Sequence, residues 1–177
     1  MIRLLTFQLL IILCFQIRTN AQSEDKIFTI YLVRHSEKDS SSSNNLDPLL
    51  TECGRQRSNS LNRFFKEVPL KAIYTTNYNR TKNTALPILK SKGLEPIQYS
   101  PQDLIGLSKQ LINLKQDALV VGHSNTTGVL AGILTGEEIG EFDIDIYDRI
   151  YHIVFYKSTS RLHLLHSAFE CKEKANL

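Results

Sequence analysis

Short apolar runs punctuated by polar stretches set the rhythm of this chain, and their lengths and spacing predict its elements. Ile27 to Val33 (IFTIYLV) is a β-rich run that predicts a first buried strand. Lys71 to Thr75 (KAIYT), Ile97 to Tyr99 and Ala118 to Gly122 (ALVVG) predict three more. Between them the apolar positions recur at helical spacing. In TECGRQRSNSLNRFFKE, Leu61, Phe64 and Phe65 predict a helix capped by Thr51 and finished near Val68-Pro69. Asn79 to Lys92 predicts a second helix, bent or shifted by Pro87 and stopped by Gly93. Pro101 to Lys115 and Thr126 to Leu134 predict a third and a fourth. Tyr151 to Tyr156 and Arg161 to Phe169 alternate as two last strands, joined by a turn at Lys157 to Ser160. The polar run Asp39 to Pro48 (DSSSSNNLDP) predicts a mobile surface loop, with Ser40 to Asn45 a solvated stretch rather than a phosphorylation site.

Strands that alternate with helices predict a three-layer α/β/α sandwich around a mostly parallel sheet. In such sheets ligands gather outside the carboxyl ends of the strands. Two of those ends hold reactive side chains: the first strand runs into Arg34-His35 and the fourth into Gly122-His123.

The front of the chain follows a different pattern. Arg3 precedes the continuous apolar run LLTFQLLIILCFQI, and the small residue Ala21 precedes Gln22. A basic start, an apolar middle and a small-residue junction predict a secretory signal over residues 1–21, too short for a span, followed by one exported domain over 22–177. The domain is then expected in a periplasmic or secreted location with no lasting membrane anchor. Loss of Arg3 and Arg18 brings the 21 basic residues of the whole chain close to its 18 acidic ones. That balance gives no reason to expect nucleic acid as a partner. Cys53 and Cys171 remain, and two thiols in a domain of this size are expected as unpaired structural residues rather than a disulfide framework.

The stretch VVGHSNTTG, Val120 to Gly128, admits two chemistries. A serine elbow would place the nucleophile on Ser124, but Thr126 stands where that turn needs a second glycine. The alternative places the chemistry on histidine. Neutral imidazole attacks phosphorus well, and an adjacent guanidinium holds phosphate oxygens by paired, charge-assisted hydrogen bonds. Phosphoryl transfer rests on positioning and charge stabilisation, so several cationic donors around one nucleophile meet its needs. Arg34, His35, Arg80 and His123 therefore form a candidate phosphate cage that requires no metal and no cofactor.

Four segments in order, LVRHSEK, LTECGRQR, YTTNYNRTKNTA and VVGHSNTTG, resemble the histidine phosphatase superfamily, whose fold is phosphoglycerate mutase-like. The family's arginine-histidine-glycine signature reads Arg34-His35-Ser36, with serine in place of glycine. Its threonine-glycine pattern falls on Thr51 and Gly54. Its second arginine falls on Arg80, with Thr76 where serine is usual, and its second histidine is His123. The resemblance implies attack by His35 to give a phosphohistidine, with Arg34, Arg80 and His123 on the phosphoryl oxygens and Ser36 in the substrate-binding segment. It also implies an acid for the departing alcohol in the segment after the third strand, where Asp103 is the nearest carboxyl; Glu37 and Asp148 are rivals. Ser124 and Asn125 then open a helix suited to anion binding, and Tyr147 and Asp148 are candidates for the pocket rim, with capping of the loop before a strand as the alternative. His152, His163 and His166 are read as strand residues, the last two on opposite faces, and not as a metal site. The expected activity is metal-independent hydrolysis of a small phosphomonoester or phosphoanhydride by a compact member without large lid insertions. The alternatives are a non-catalytic phosphate-binding relative and a phosphomutase.

Overall fold

The computed structural model describes residues 26–41, 44, 46–140 and 143–171, so the expected signal segment lies outside the described residues. Along the chain run β1 (Phe28–Arg34), α1 (Glu52–Phe64), β2 (Ala72–Thr75), α2 (Asn79–Lys92), β3 (Pro96–Gln98), α3 (Leu104–Leu114), β4 (Ala118–Gly122), α4 (Thr127–Thr135), β5 (Arg149–Tyr156) and β6 (Thr159–His166). The strands form one sheet in the order β3-β2-β4-β1-β5-β6. The first four are parallel, whereas β5 runs antiparallel to β1 and β6 antiparallel to β5. The sheet is thus parallel on one side and ends in a hairpin on the other. Only antiparallel strands can be joined by a turn as tight as the one at Lys157, whose φ is 55°.

Alternation along the central strands sorts the core into two layers. Ile30, Leu32, Tyr74, Ala118 and Val120 point to one face, where Leu107 and Leu111 of α3 and Leu130 and Leu134 of α4 cover them. Val33, Ile73, Leu119 and Val121 point to the other, under Leu61 of α1 and Ile88 and Leu89 of α2. The expected α/β/α sandwich is therefore present, built from strands apolar on both sides.

Two local devices fix α1 and α2. Pro87 lies inside α2 and lacks the N–H that would reach the carbonyl of Asn83. The Ser58 hydroxyl of α1 lies 3.1 Å from that carbonyl and 2.8 Å from that of Thr84, so the polar group Pro87 leaves open is covered by the neighbouring helix. At the start of α1, Thr51 caps Gly54 with its hydroxyl and donates its N–H to the carbonyl of Glu37 at 2.9 Å. A Cβ built on Gly54 overlaps that same carbonyl oxygen. The threonine-glycine pair thus lets the helix start press directly on the segment after β1. Gly54→Ala is expected to cost about 3 kcal/mol, because backbone rather than a yielding side chain stands in the way. A urea melt that moves by less than about 0.5 kcal/mol would show that the contact is not rigid.

One expectation needs correction. Cys53 and Cys171 form a disulfide across 118 residues, with Cα atoms 5.7 Å apart, rather than standing as unpaired thiols. It ties the first turn of α1 to the segment after β6. The polar loop is tied down near its two ends. Asp39 N–H donates to Leu49 at 2.8 Å, and the Asp47 carboxylate accepts the N–H of Asn79 at 2.7 Å, at the first turn of α2. There it satisfies a helix N–H and meets the positive end of the helix dipole. Residues 42, 43 and 45 of this loop lie outside the described residues.

Candidate active site

Register places the two histidines side by side. Arg34 of β1 pairs with Gly122 of β4, and the His35 N–H continues the ladder by donating to Gly122 at 2.9 Å. Both rings leave at the same carboxyl edge, with centroids 5.4 Å apart. They open onto a cleft of about 460 Å³, to which Arg34, Arg80 and Lys38 contribute three cations. The sheet alone brings together what lies 88 positions apart in sequence.

The tautomer of His35 follows from its partner. Its Nδ1 lies 2.8 Å from the carbonyl of Ser36, which can only accept, so Nδ1 holds the proton and Nε2 keeps the lone pair. His123 is gripped through Nε2 by the Thr76 hydroxyl at 3.1 Å, and Thr76 in turn by Thr81 at 2.9 Å. Thr76 thus positions the second histidine, a role its place in the motif did not reveal. After His123 the chain turns back on itself: Thr126 and Thr127 donate their N–H groups to the His123 carbonyl. Ser124 and Asn125 consequently line the cleft. Among the described residues no base is hydrogen-bonded to the Ser124 hydroxyl, so the serine-elbow arrangement is not assembled here.

Each cage arginine stacks on a tyrosine. The Arg34 guanidinium lies 4.0 Å from the Tyr147 ring centre, and that of Arg80 lies 4.2 Å from Tyr78. One Arg34 nitrogen donates to the carbonyls of Ile144 and Ile146. Arg80 donates to the Leu46 carbonyl at 3.3 Å and lies 3.8 Å from the Asp47 carboxylate. The aromatic faces hold the flat guanidinium groups by cation–π attraction while leaving edges to meet an anion.

Burial, followed by the charges of Arg34 and Arg80 and by His123 when it too is protonated, pushes the His35 pKa down to about 3, against a contrary pull from the Ser36 carbonyl. Burial, then Arg80, Arg34 and Lys38, pushes His123 down to about 4. Both rings are neutral at physiological pH, the state a nucleophilic imidazole needs. Both folded values lie below that of a free histidine, so the unfolded chain binds more protons between pH of about 6.5 and 3. The neutral rings therefore contribute stability fully above pH of about 6.5, and that contribution is lost as pH falls through the folded values. In ¹⁵N NMR at pH 5 without ligand, the His35 ring is expected to show the neutral Nδ1–H tautomer. A ring already protonated at pH 5 would contradict the burial argument. His35→Ala is expected to lose less stability than wild type between pH 6.5 and 4.

Of the expected site residues, Arg34, His35, Arg80 and His123 converge on the cleft; of the two rim candidates Tyr147 joins them there and Asp148 does not. Ser36 and Asp103 sit elsewhere. Ser36 is fully buried, its N–H bonded to Thr84 at 2.8 Å and its hydroxyl without a partner among the described residues. Asp103 caps α3, accepting the Gly106 N–H at 2.8 Å, and is not among the groups lining the cleft. Of its rivals, Glu37 is clasped by Arg57 through two nitrogens at 2.7 and 2.9 Å, and Asp148 pairs with His166 at 2.8 Å. His152 and His163 face each other across β5 and β6, with Tyr31 stacked on His152. Glu37, Cys53 and Cys171 form the cluster of potential metal ligands among the described residues, but the two sulfurs are bonded to each other. Lys38, Tyr78 and Asp145 line the cleft without having been singled out in the sequence. Lys38 and Tyr78 do stand inside the quoted motifs, and that proximity is the one signal that could have found them.

Comparison with known proteins bears on the family resemblance and the fold. Residues 30–102 match the histidine phosphatase superfamily (branch 1). No curated protein matches the chain. Among solved structures, the protein histidine phosphatase SixA complexed with tungstate superposes with a TM-score of 0.67 at 14% identity, covering 78% of this chain and 97% of its own. A putative alpha-ribazole-5'-P phosphatase from Escherichia coli gives 0.66 at 15% identity, covering 79% and 96%. Bacillus stearothermophilus YhfR gives 0.63 at 18% identity, covering 77% and 96%. At such identities the likeness establishes the fold. The family match spans three of the four motifs that carry the resemblance, with VVGHSNTTG beyond it, and the fold is the phosphoglycerate mutase-like one of a small chain.

Proposed function

Taking the histidine phosphatase superfamily as its family, we propose that the chain is an exported, metal-independent phosphatase that hydrolyses a small phosphomonoester or phosphoanhydride through a phosphohistidine on His35. The observation behind this reading is the pairing of a neutral, Nδ1-protonated His35 with Arg34, Arg80 and His123 around one cleft. Nε2 of His35 attacks phosphorus. The two guanidinium groups and His123 take up charge on the phosphoryl oxygens as the ester bond breaks. Water then attacks the phosphohistidine and returns His35 to its starting form.

The cleft's donor set favours an anion over a metal ion, since arginine and lysine side chains outnumber carboxylates along its lining. Turnover is accordingly expected to survive EDTA. Export is supported by the apolar leader and by the Cys53–Cys171 disulfide, which belongs in an oxidising compartment. Mass spectrometry of protein from its host is expected to find a mature N-terminus near Gln22.

The decisive experiment is rapid quench with a ³²P-labelled substrate. Label that survives alkali, is lost in acid and maps to His35 is expected. Label on Ser124 would restore the serine elbow. Tight phosphate binding with neither label nor turnover would identify a binding protein instead.

A further inference from the structure

We propose that Asp145, in the segment before β5, is the acid that protonates the departing oxygen and later the base that activates water. The assignment rests on the phosphohistidine reading above and adds the group that reading lacks.

Among the described residues, the rival carboxylates near the site are engaged elsewhere. Glu37 is clasped by Arg57, Asp47 holds the first turn of α2, Asp103 caps α3 and Asp148 pairs with His166. Asp145 is the one carboxylate among the described residues that lines the cleft with His35 and His123. Its side chain is exposed there, near enough for its charge to act on Arg34, and among the described residues it makes no hydrogen bond. Its backbone is nonetheless held in place. The carbonyls on either side of it, those of Ile144 and Ile146, both accept from the Arg34 guanidinium, and its own N–H bonds to the Asp143 carboxylate at 3.0 Å. Tyr147, two residues on, stacks against the same guanidinium. The arginine that receives the phosphoryl group thereby also sets where the carboxyl stands.

The step balances as follows. The lone pair on His35 Nε2 forms the N–P bond as the P–O ester bond breaks. The electron pair left on the ester oxygen takes the proton from the Asp145 carboxyl, releasing the alcohol. The Asp145 carboxylate then removes a proton from the water that attacks phosphorus, and the N–P electron pair returns to His35 as inorganic phosphate forms.

An acid matters only to leaving groups that cannot depart as anions. The test therefore compares kcat/KM for an alkyl phosphate and for 4-nitrophenyl phosphate in wild type, Asp145→Asn, Asp145→Glu and Asp103→Asn. Asp145→Asn is expected to lose about 10²-fold on the alkyl ester and less than about threefold on the nitrophenyl ester. Asp145→Glu should regain part of the alkyl activity, and Asp103→Asn should match wild type on both. Equal losses on both esters, or none on either, would overturn the assignment while leaving His35 as nucleophile. Absence of turnover by wild type on either ester would overturn the phosphatase reading itself.

Discussion

His35→Ala is expected to lower kcat/KM for 4-nitrophenyl phosphate by on the order of 10⁴-fold or more and to abolish phosphoenzyme formation. The size of the effect follows from replacement. Within the cleft only His35 combines a free Nε2 lone pair with a fixed tautomer, since the Ser36 carbonyl holds its Nδ1–H. His123 has its Nε2 on Thr76 and lacks an adjacent arginine. Among the described residues Ser124 has no hydrogen-bonded base to raise its reactivity. The variant should fold: the residue is buried, but its backbone N–H bond to Gly122 belongs to the ladder and does not depend on the side chain. Circular dichroism and thermal melting verify that point. If more than about one per cent of turnover remains in a folded variant, the attacking group is not His35.

The second large effect belongs to Arg80. Arg80→Ala is expected to cost about 10²- to 10³-fold in kcat/KM, the loss typical of removing one preorganised donor from a developing anion, and to weaken vanadate inhibition in parallel. Arg80→Lys should recover about tenfold at most. Lysine restores the charge but cannot lie flat on Tyr78 or offer two parallel N–H groups. Wild-type kinetics and inhibition in Arg80→Ala would mean that the phosphoryl group sits away from α2.

Much of this arrangement was legible in the sequence because it depends on short-range chemistry. Thr51, Gly93 and the apolar spacing of Leu61 and Phe65 mark helix ends and a helix face that the structure reproduces. The two strand ends bearing Arg34-His35 and Gly122-His123 were enough to place two histidines and one guanidinium at a common edge of the sheet. What escaped depends on contacts between distant segments. Nothing in the local sequence says that Cys171 returns to Cys53, or that Glu37 is taken by Arg57, itself in contact with Phe169. Asp103 shows the reverse case. A carboxylate at a helix start satisfies a local N–H, and that capping bond is the contact it makes here. Asp145 lies in a stretch without periodicity, so its address is written by distant Arg34 together with the short-range bond to Asp143.

The pairing of Arg34 with Gly122 also determines how this scaffold can change. The spacing of the two histidines is a property of the backbone ladder, shared by every sequence that keeps β1 and β4 together. The rim, by contrast, hangs on side-chain hooks: Arg34 holds the segment around Asp145, and Arg80 holds Leu46 and Asp47. Hardware and attachments are thus physically separate. Grafting a new segment at either rim would retune which molecule is admitted while the reactive pair keeps its spacing, provided the graft still offers carbonyls to the waiting arginines.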